Sequence, residues 1–221
     1  LKIILGFIVP IVFAILINEV REDFLKRIIQ TSIYLPFFLS WVVLGGILID
    51  ILSPQSGIIN KILGQLFRIK AIFFLGDNAW FPFTVVATHV WKEFGFGTVL
   101  FLAAITNIDP QLYESAVIDG ANRWHRIWYI TLPGMKMVIV LVGVLSLGNI
   151  LKAGFDQIFN LYSPVVYRSG DILDTYVYRL GMVQSQYSLA TAVGLFQSIV
   201  SFLLISLSYF LAYKFTDYRV F

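Results

Sequence analysis

Asp109-Pro110-Gln111-Leu112-Tyr113-Glu114-Ser115-Ala116-Val117-Ile118-Asp119-Gly120-Ala121 is the stretch on which the reading of this chain turns. An aspartate ahead of a proline opens a helix well: the carboxylate can accept from the free amides of the first turn, and the proline's missing N–H costs nothing there. Gly120 can close the helix, because glycine takes left-handed backbone angles that a side chain resists. The local chemistry therefore predicts a helix of about three turns, capped at both ends by its own residues. A second helix is predicted over 122–131, with Trp124, Ile127 and Trp128 on one face and His125, Arg126 and Tyr129 on others, stopped by Leu132-Pro133-Gly134. Capping alone would suit a plain linker on a membrane surface as well as a functional element.

The surroundings of this stretch are apolar. Of 221 residues, 58% are hydrophobic and 13% charged, with a mean hydropathy of +0.82, whereas a soluble domain carries about 25% charged residues. That disfavours a water-soluble enzyme, a disordered chain and a coiled coil, and describes an integral membrane protein. The net charge of +3 is too small to imply a nucleic-acid partner. Without cysteine there is no disulfide, thiolate nucleophile or cysteine metal site. Five apolar runs approach the roughly 20 residues that a bilayer requires: 3–18, 31–52, 82–108, 137–151 and 189–215, the last ending in the interfacial pair Tyr213 and Lys214. The chain opens Leu1-Lys2 and enters an apolar run at once, without the features of a signal peptide. A further span ahead of Leu1 is expected.

Between the runs, 18–30 carries Glu19, Arg21, Glu22, Asp23, Lys26 and Arg27 and reads as a solvated turn. In 53–81, Ile58, Ile59, Ile62, Leu63, Leu66 and Phe67 follow a Pro54–Gly57 turn at helical spacing, predicting a short amphipathic helix on the interface. The Tyr-rich segment 152–188 is again partly amphipathic. One set of loops holds Arg21, Lys26, Arg27, Arg123, Arg126, Lys136, Lys214 and Arg219, and the opposite set Lys61, Arg68, Lys70, Lys152, Arg168 and Arg179. The excess places the first set, weakly, in the cytoplasm.

Glu114-Ser115-Ala116, three residues, Gly120, nine residues, then Ile130-Thr131-Leu132-Pro133 resembles the EAA loop of binding-protein-dependent ABC importer permeases, whose pattern is Glu-Ala-Ala, three residues, Gly, nine residues, Ile-x-Leu-Pro. The departures are Ser115 for the first alanine and Met137 where many members have a second proline. The likeness covers essentially the whole chain. Ser40-Trp41-Val42-Val43, Trp91–Gly95, Tyr113–Ala121, Gly154–Gln157 and Asp174–Tyr178 look like the sugar branch, particularly permeases for oligosaccharides and polysaccharides.

The resemblance implies an all-α polytopic transmembrane bundle forming one permease domain over 1–221, with 108–136 as a cytoplasmic coupling loop. It implies half of the translocation pathway of a carbohydrate importer in the bacterial plasma membrane. Its partners would be a second, similar permease, two ATPase subunits and an extracytoplasmic sugar-binding protein. In such a loop Leu112, Tyr113, Ala116 and Val117 would present an apolar patch to the ATPase, Glu114 would pair with a basic residue there, and Gly120 would set the angle between the helices. Ser115, Asp119, Ala121, Ile130, Leu132 and Pro133 complete the coupling set.

No Gly-x-x-x-x-Gly-Lys-Ser/Thr, His-Glu-x-x-His or Gly-x-Ser-x-Gly motif occurs, so a non-catalytic chain is expected, with ATP and magnesium on the partner ATPase. His89 and Glu93 have metal-ligand spacing but lack a third ligand. His89, Lys92 and Glu93 fall within an apolar run, where charges usually face a polar cavity or pair internally; glycines 95 and 97 could instead bend the span and bring the charges to an interface. Trp41, Trp91, Lys92, Glu93, Asn149, Asp156 and Gln157 are the candidates for the substrate pathway, offering flat rings and hydrogen-bonding groups that suit a sugar. The competing readings are an importer for amino acids, peptides or an inorganic anion, a membrane-embedded enzyme, and a scaffold that uses the loop only to bind a cytoplasmic partner.

Overall fold

The computed structural model describes residues 1–148 and 150–216, the side chains of 211–216 excepted. Asn149 and Arg219 thus lie outside the described residues, as do the side chains of Tyr213 and Lys214. The described chain is helical throughout, without strands. In order come α1 (Lys2–Asn18), α2 (Asp23–Tyr34) with a 3-10 turn Leu35–Phe38, α3 (Trp41–Ile51), α4 (Ile58–Phe67), α5 (Phe81–Thr106), α6 (Pro110–Ile118) and α7 (Arg123–Arg126). There follow a π-helical turn Ile127–Thr131, α8 (Leu132–Gly134), α9 (Lys136–Gly148), α10 (Phe155–Leu161), α11 (Tyr167–Gly170), α12 (Leu173–Tyr178) and α13 (Tyr187–Thr216).

Contacts divide these elements into two compact units, one from 1–38, 90–148 and 203–216, the other from 39–89 and 150–202. In the first, α1 lies against α5 and α9. Ala14, Phe101, Ile105 and Met135 form its buried core, and the ring of Phe7 meets Phe101 edge-on. Gly97 leaves room for Pro10 in the middle of α1, since a Cβ there would stand 3.0 Å from the proline ring. In the second unit Leu44, Leu48, Phe81, Val85, Ile158, Leu161 and Val166 form the core. Its α3 packs on α10, Gly45 against Asn160.

Two expectations change. The charged stretch 18–30 is mostly helix rather than turn: the turn is confined to 19–22, and α2 begins at Asp23, an acidic first-turn residue that suits a helix N-terminus. Phe24, Leu25, Ile28 and Ile29 then lend it an apolar stripe. The run 31–52 is not one straight span either. Pro36 cannot donate an amide hydrogen to the turn before it, and with Leu35 itself keeping helical angles of φ −55 and ψ −44 the helix tightens there into the 3-10 turn. It restarts at α3, where the Ser40 hydroxyl accepts from the Val43 amide at 3.3 Å.

Among the described residues one helix, Tyr187–Phe210 within α13, is long and apolar enough to cross a membrane by itself, or up to three spans arise if each bent pair counts as one. Those pairs are Asp23–Phe38 with Trp41–Ile51, and Arg123–Gly134 with Lys136–Gly148. The run 3–18 forms a 17-residue apolar helix. The 26-residue α5 has the length but carries Lys92 and Glu93. The amphipathic helix expected after Gly57 is present as α4.

Candidate functional site

The loop between α5 and α9 lies wholly within the first unit, and its own residues close it. Asp109 caps α6 by accepting from the Gln111 amide at 2.9 Å, with Pro110 at the first helical position. Gly120 has φ +77, the left-handed region in which an ordinary residue is strained; the Ala121 amide reaches back to the Ala116 carbonyl at 2.8 Å, closing the end of the helix. Asn122 begins the next helix by accepting from the His125 amide at 2.9 Å.

That second helix does not stop at Leu132-Pro133-Gly134, as its sequence suggests. It widens into the π turn Ile127–Thr131 and runs on through α8, then bends by 60° into α9. The widening lets a proline continue the helix, because the hydrogen-bond pattern has already shifted around the amide it lacks. Gly134 carries no side chain where a Cβ would meet Ile108 Cδ1 at 2.5 Å, so the two ends of the loop come together.

The helices of the loop are joined by a bond that sequence reading missed: the Tyr113 hydroxyl lies 3.0 Å from Thr131 Oγ1. Eighteen residues separate the two, and no local pattern marks the pairing. Tyr113 and Ala116 are therefore half-buried, turned toward the rest of the loop, while Leu112, Glu114, Ser115, Val117, Asp119 and Gly120 are exposed. Ile118, absent from the expected patch, is 85% exposed. Ala116, Asp119, Gly120, Ala121, His125, Arg126, Tyr129 and Ile130 line a groove of about 430 Å³ beside α6. Leu132 is half-buried and Pro133 exposed. An ion pair from Arg123 to Glu19, 3.9 Å, links the loop to the end of α1.

The residues expected on a substrate pathway are spread over both units. In the first, Trp91 is exposed and Glu93 half-buried, but Lys92 is buried and its ammonium donates to the Phe37 carbonyl at 2.9 Å. In the second, Trp41 packs against the core and Asp156 is exposed. Gln157 is fully buried; its amide nitrogen donates to the Val85 carbonyl at 2.8 Å and to Thr88 Oγ1 at 2.9 Å, tying α10 to α5. Lys92 and Gln157 thus both have hydrogen-bond partners within the chain. No cluster of metal ligands occurs among the described residues.

The segment 152–188 carries its own polar network. Arg179 donates to both carboxylate oxygens of Asp171, Nη1 to Oδ1 at 3.3 Å and Nη2 to Oδ2. Thr175 donates to Asp171 at 2.7 Å, and Gln197 to Asp174 at 2.9 Å. Burial alone would raise the Asp171 carboxyl; the hydrogen bonds from Arg179 and Thr175 outweigh it and hold the group below its ordinary value.

Residues 5–221 match the family described as "Binding-protein-dependent transport system inner membrane component". The chain is 41% identical over 221 residues to Protein LplB of Bacillus subtilis (strain 168), covering all of this chain and 69% of that protein. It is also 41% identical over 217 residues to the polygalacturonan/rhamnogalacturonan transport system permease protein YteP of the same organism, covering 98% and 67%. Among solved structures it is similar to the bacterial alginate ABC transporter in complex with alginate pentasaccharide-bound periplasmic protein, with TM-score 0.95 and 38% identity over 99% of this chain and 76% of that one. The capped helix, left-handed glycine and second helix are thus set in a chain that belongs to the binding-protein-dependent transport system inner membrane component family, the membrane permeases of ABC importers.

Proposed function

We propose that this chain is half of the translocation pathway of an ATP-driven importer of oligosaccharides or polysaccharides in a bacterial plasma membrane, and that α6 is its docking element for a separate ATPase. The observation that carries the coupling role is the loop itself. A helix fixed at both ends by Asp109 and Gly120 leaves Leu112, Val117 and Ile118 facing outward, and apolar side chains gathered on a rigid, self-capped element suit a protein partner. The carbohydrate assignment draws support from the relatives, which include polygalacturonan/rhamnogalacturonan and arabinooligosaccharide permeases, and from the alginate transporter.

On this reading, ATP and magnesium bind the ATPase pair and this chain does no chemistry. A second permease completes the pathway and an extracytoplasmic binding protein delivers the sugar. Closure of the ATPase dimer draws the docked loops together, and the attached spans change the side on which the pathway opens. Leu112→Glu, alone or with Glu114→Lys, should remove the ATPase from the purified complex while membrane insertion continues; retention of the ATPase would sink the docking assignment. Cargo is tested by offering alginate, polygalacturonan, rhamnogalacturonan and arabinan oligosaccharides to the binding protein. Selection of an amino acid or peptide over all four would overturn the sugar assignment.

A further inference from the structure

The buried charge in α5 has a structural neighbour that suggests what it does. Lys92, Gly95 and Phe96 stand at i, i+3 and i+4 and so share one helix face, and each meets the interruption that Pro36 makes after α2. The Lys92 side chain is 8% exposed. Its ammonium donates to the Phe37 carbonyl at 2.9 Å, lies 3.4 Å from Glu93 Oε1 and sits 5.1 Å from the centre of the Phe37 ring. Phe96 stacks on that same ring, centroids 4.3 Å apart and planes 7° from parallel. Gly95 permits the approach: a Cβ there would come within 1.9 Å of the Ile33 carbonyl oxygen, which is backbone and cannot swing aside.

The physical logic is mutual. The 3-10 turn ends at Phe38, so the Phe37 carbonyl is among the last of its helix and has no amide a turn further on to accept from, and a buried ammonium needs acceptors. The ammonium supplies the Phe37 carbonyl with a donor, and parting them would leave that carbonyl unpaired and the ammonium with Glu93 alone among the acceptors named here. From this contact α5 runs without a break to Thr106, and α6 starts at Pro110. A continuous helix has a fixed rise per residue, so displacement of the loop moves the Lys92 face with it.

We propose that Lys92, Gly95 and Phe96 form a permanent clamp through which α5 carries movement of the coupling loop to the interruption in the second span. Lys92 is a positioning residue in this scheme and does not touch cargo. The proposal rests on the coupling function assigned above to α6.

The test uses the complete transporter, with its second permease, ATPases and binding protein in proteoliposomes, importing the oligosaccharide selected from the panel. Lys92→Met should assemble and hydrolyse ATP, yet spend several-fold more ATP per sugar imported; Lys92→Arg should restore the ratio. An unchanged ratio in assembled Lys92→Met overturns the clamp. Should that variant fail to assemble, a second measurement decides. The chain has no cysteine, so Phe37→Cys with Phe96→Cys, which keeps Lys92 and Gly95, can be joined by a short thiol cross-linker that replaces the ring contact the two substitutions remove. Import that survives cross-linking supports a contact closed throughout the cycle, and import that stops on cross-linking overturns it. Leu112→Glu separates the two readings: if the ATPase stays bound to that variant, the docking of α6 fails, whereas the cross-link still judges the clamp on import itself.

Discussion

Two segments outside the membrane runs are built from the same parts, short helices and tight turns, and differ in what their polar side chains hold: chiefly backbone amides in one, other side chains and distant helices in the other. The loop 107–135 saturates its backbone locally, through Asp109, Gly120 and Asn122, and turns Leu112, Val117 and Ile118 outward. The segment 152–188 draws inward: Gln157 and Thr175 are fully buried, Arg179 holds Asp171, and Gln197 reaches Asp174. Buried polar groups paired within the protein, whether inside the segment as Arg179 with Asp171 or to α5 and α13 as Gln157 and Asp174, support the fold, because removing one leaves its partner unsatisfied. Apolar groups held outside by a framework that needs no help from them are free to serve a partner.

The comparison breaks most sharply at Gly120. Gly120→Val places a β-branched residue in the left-handed region, a strain of about 1–2 kcal/mol or more confined to the loop. Import should fall to background while the protein inserts and melts nearly as before; normal uptake by an assembled variant would contradict the coupling role. Arg179→Met should do the reverse, lowering thermal stability in detergent by about 2 kcal/mol through the loss of charged hydrogen bonds to Asp171, with the ATPase still bound. If the ATPase dissociates while the melting temperature stands, the two regions have been read the wrong way round.

A pH titration sharpens the contrast. The folded-state pKa of Asp171 is depressed, so its contribution to stability is present above the unfolded carboxylate value and is lost as pH falls through the folded one. Acid should therefore lower the melting temperature of the native chain more than that of Asp171→Asn, and parallel curves would remove the carboxylate from the account. The smallest effect is expected at Asp109→Ala, which removes the N-cap of α6 at a cost of about 1 kcal/mol. Amide exchange at Gln111 should quicken, with import reduced only in part.

What could be read in advance follows the range of the interactions. Asp109, Gly120 and Asn122 act on amides within a few residues of themselves, and their chemistry can be read from neighbours in the chain. The amphipathic face of α4 could be read for the same reason, as its period is local. The interruption at Pro36 had a visible cause, but a long apolar run masks it when spans are sought by hydropathy alone. Lys92 and Phe37 lie 55 positions apart, and Gln157 lies 72 from Val85. A buried polar residue announces that it needs a partner; only the fold says whether the partner is cargo, a carbonyl or a neighbouring helix. Hence Lys92 and Gln157, candidates for the substrate pathway, have internal partners that no local pattern marks, and Thr131, which ties the coupling helices to each other, stands in the motif only as a spacer.

The helix α4 is held by one buried side chain. Asn60 donates to the carbonyls of Leu52, Ser53 and Ile72 and accepts from the Ile72 amide at 2.8 Å, while Ile58, Ile62, Leu66 and Phe67 on the same helix are exposed. A surface helix on a loose tether can rise and sink with the headgroups, but one riveted this way keeps its depth. The amphipathic face of α4 predicts a place at the bilayer interface; there, in a bilayer thicker or thinner than the protein favours, the lipids around α4 would stretch or compress, at fractions of a kcal/mol for each ångström of mismatch.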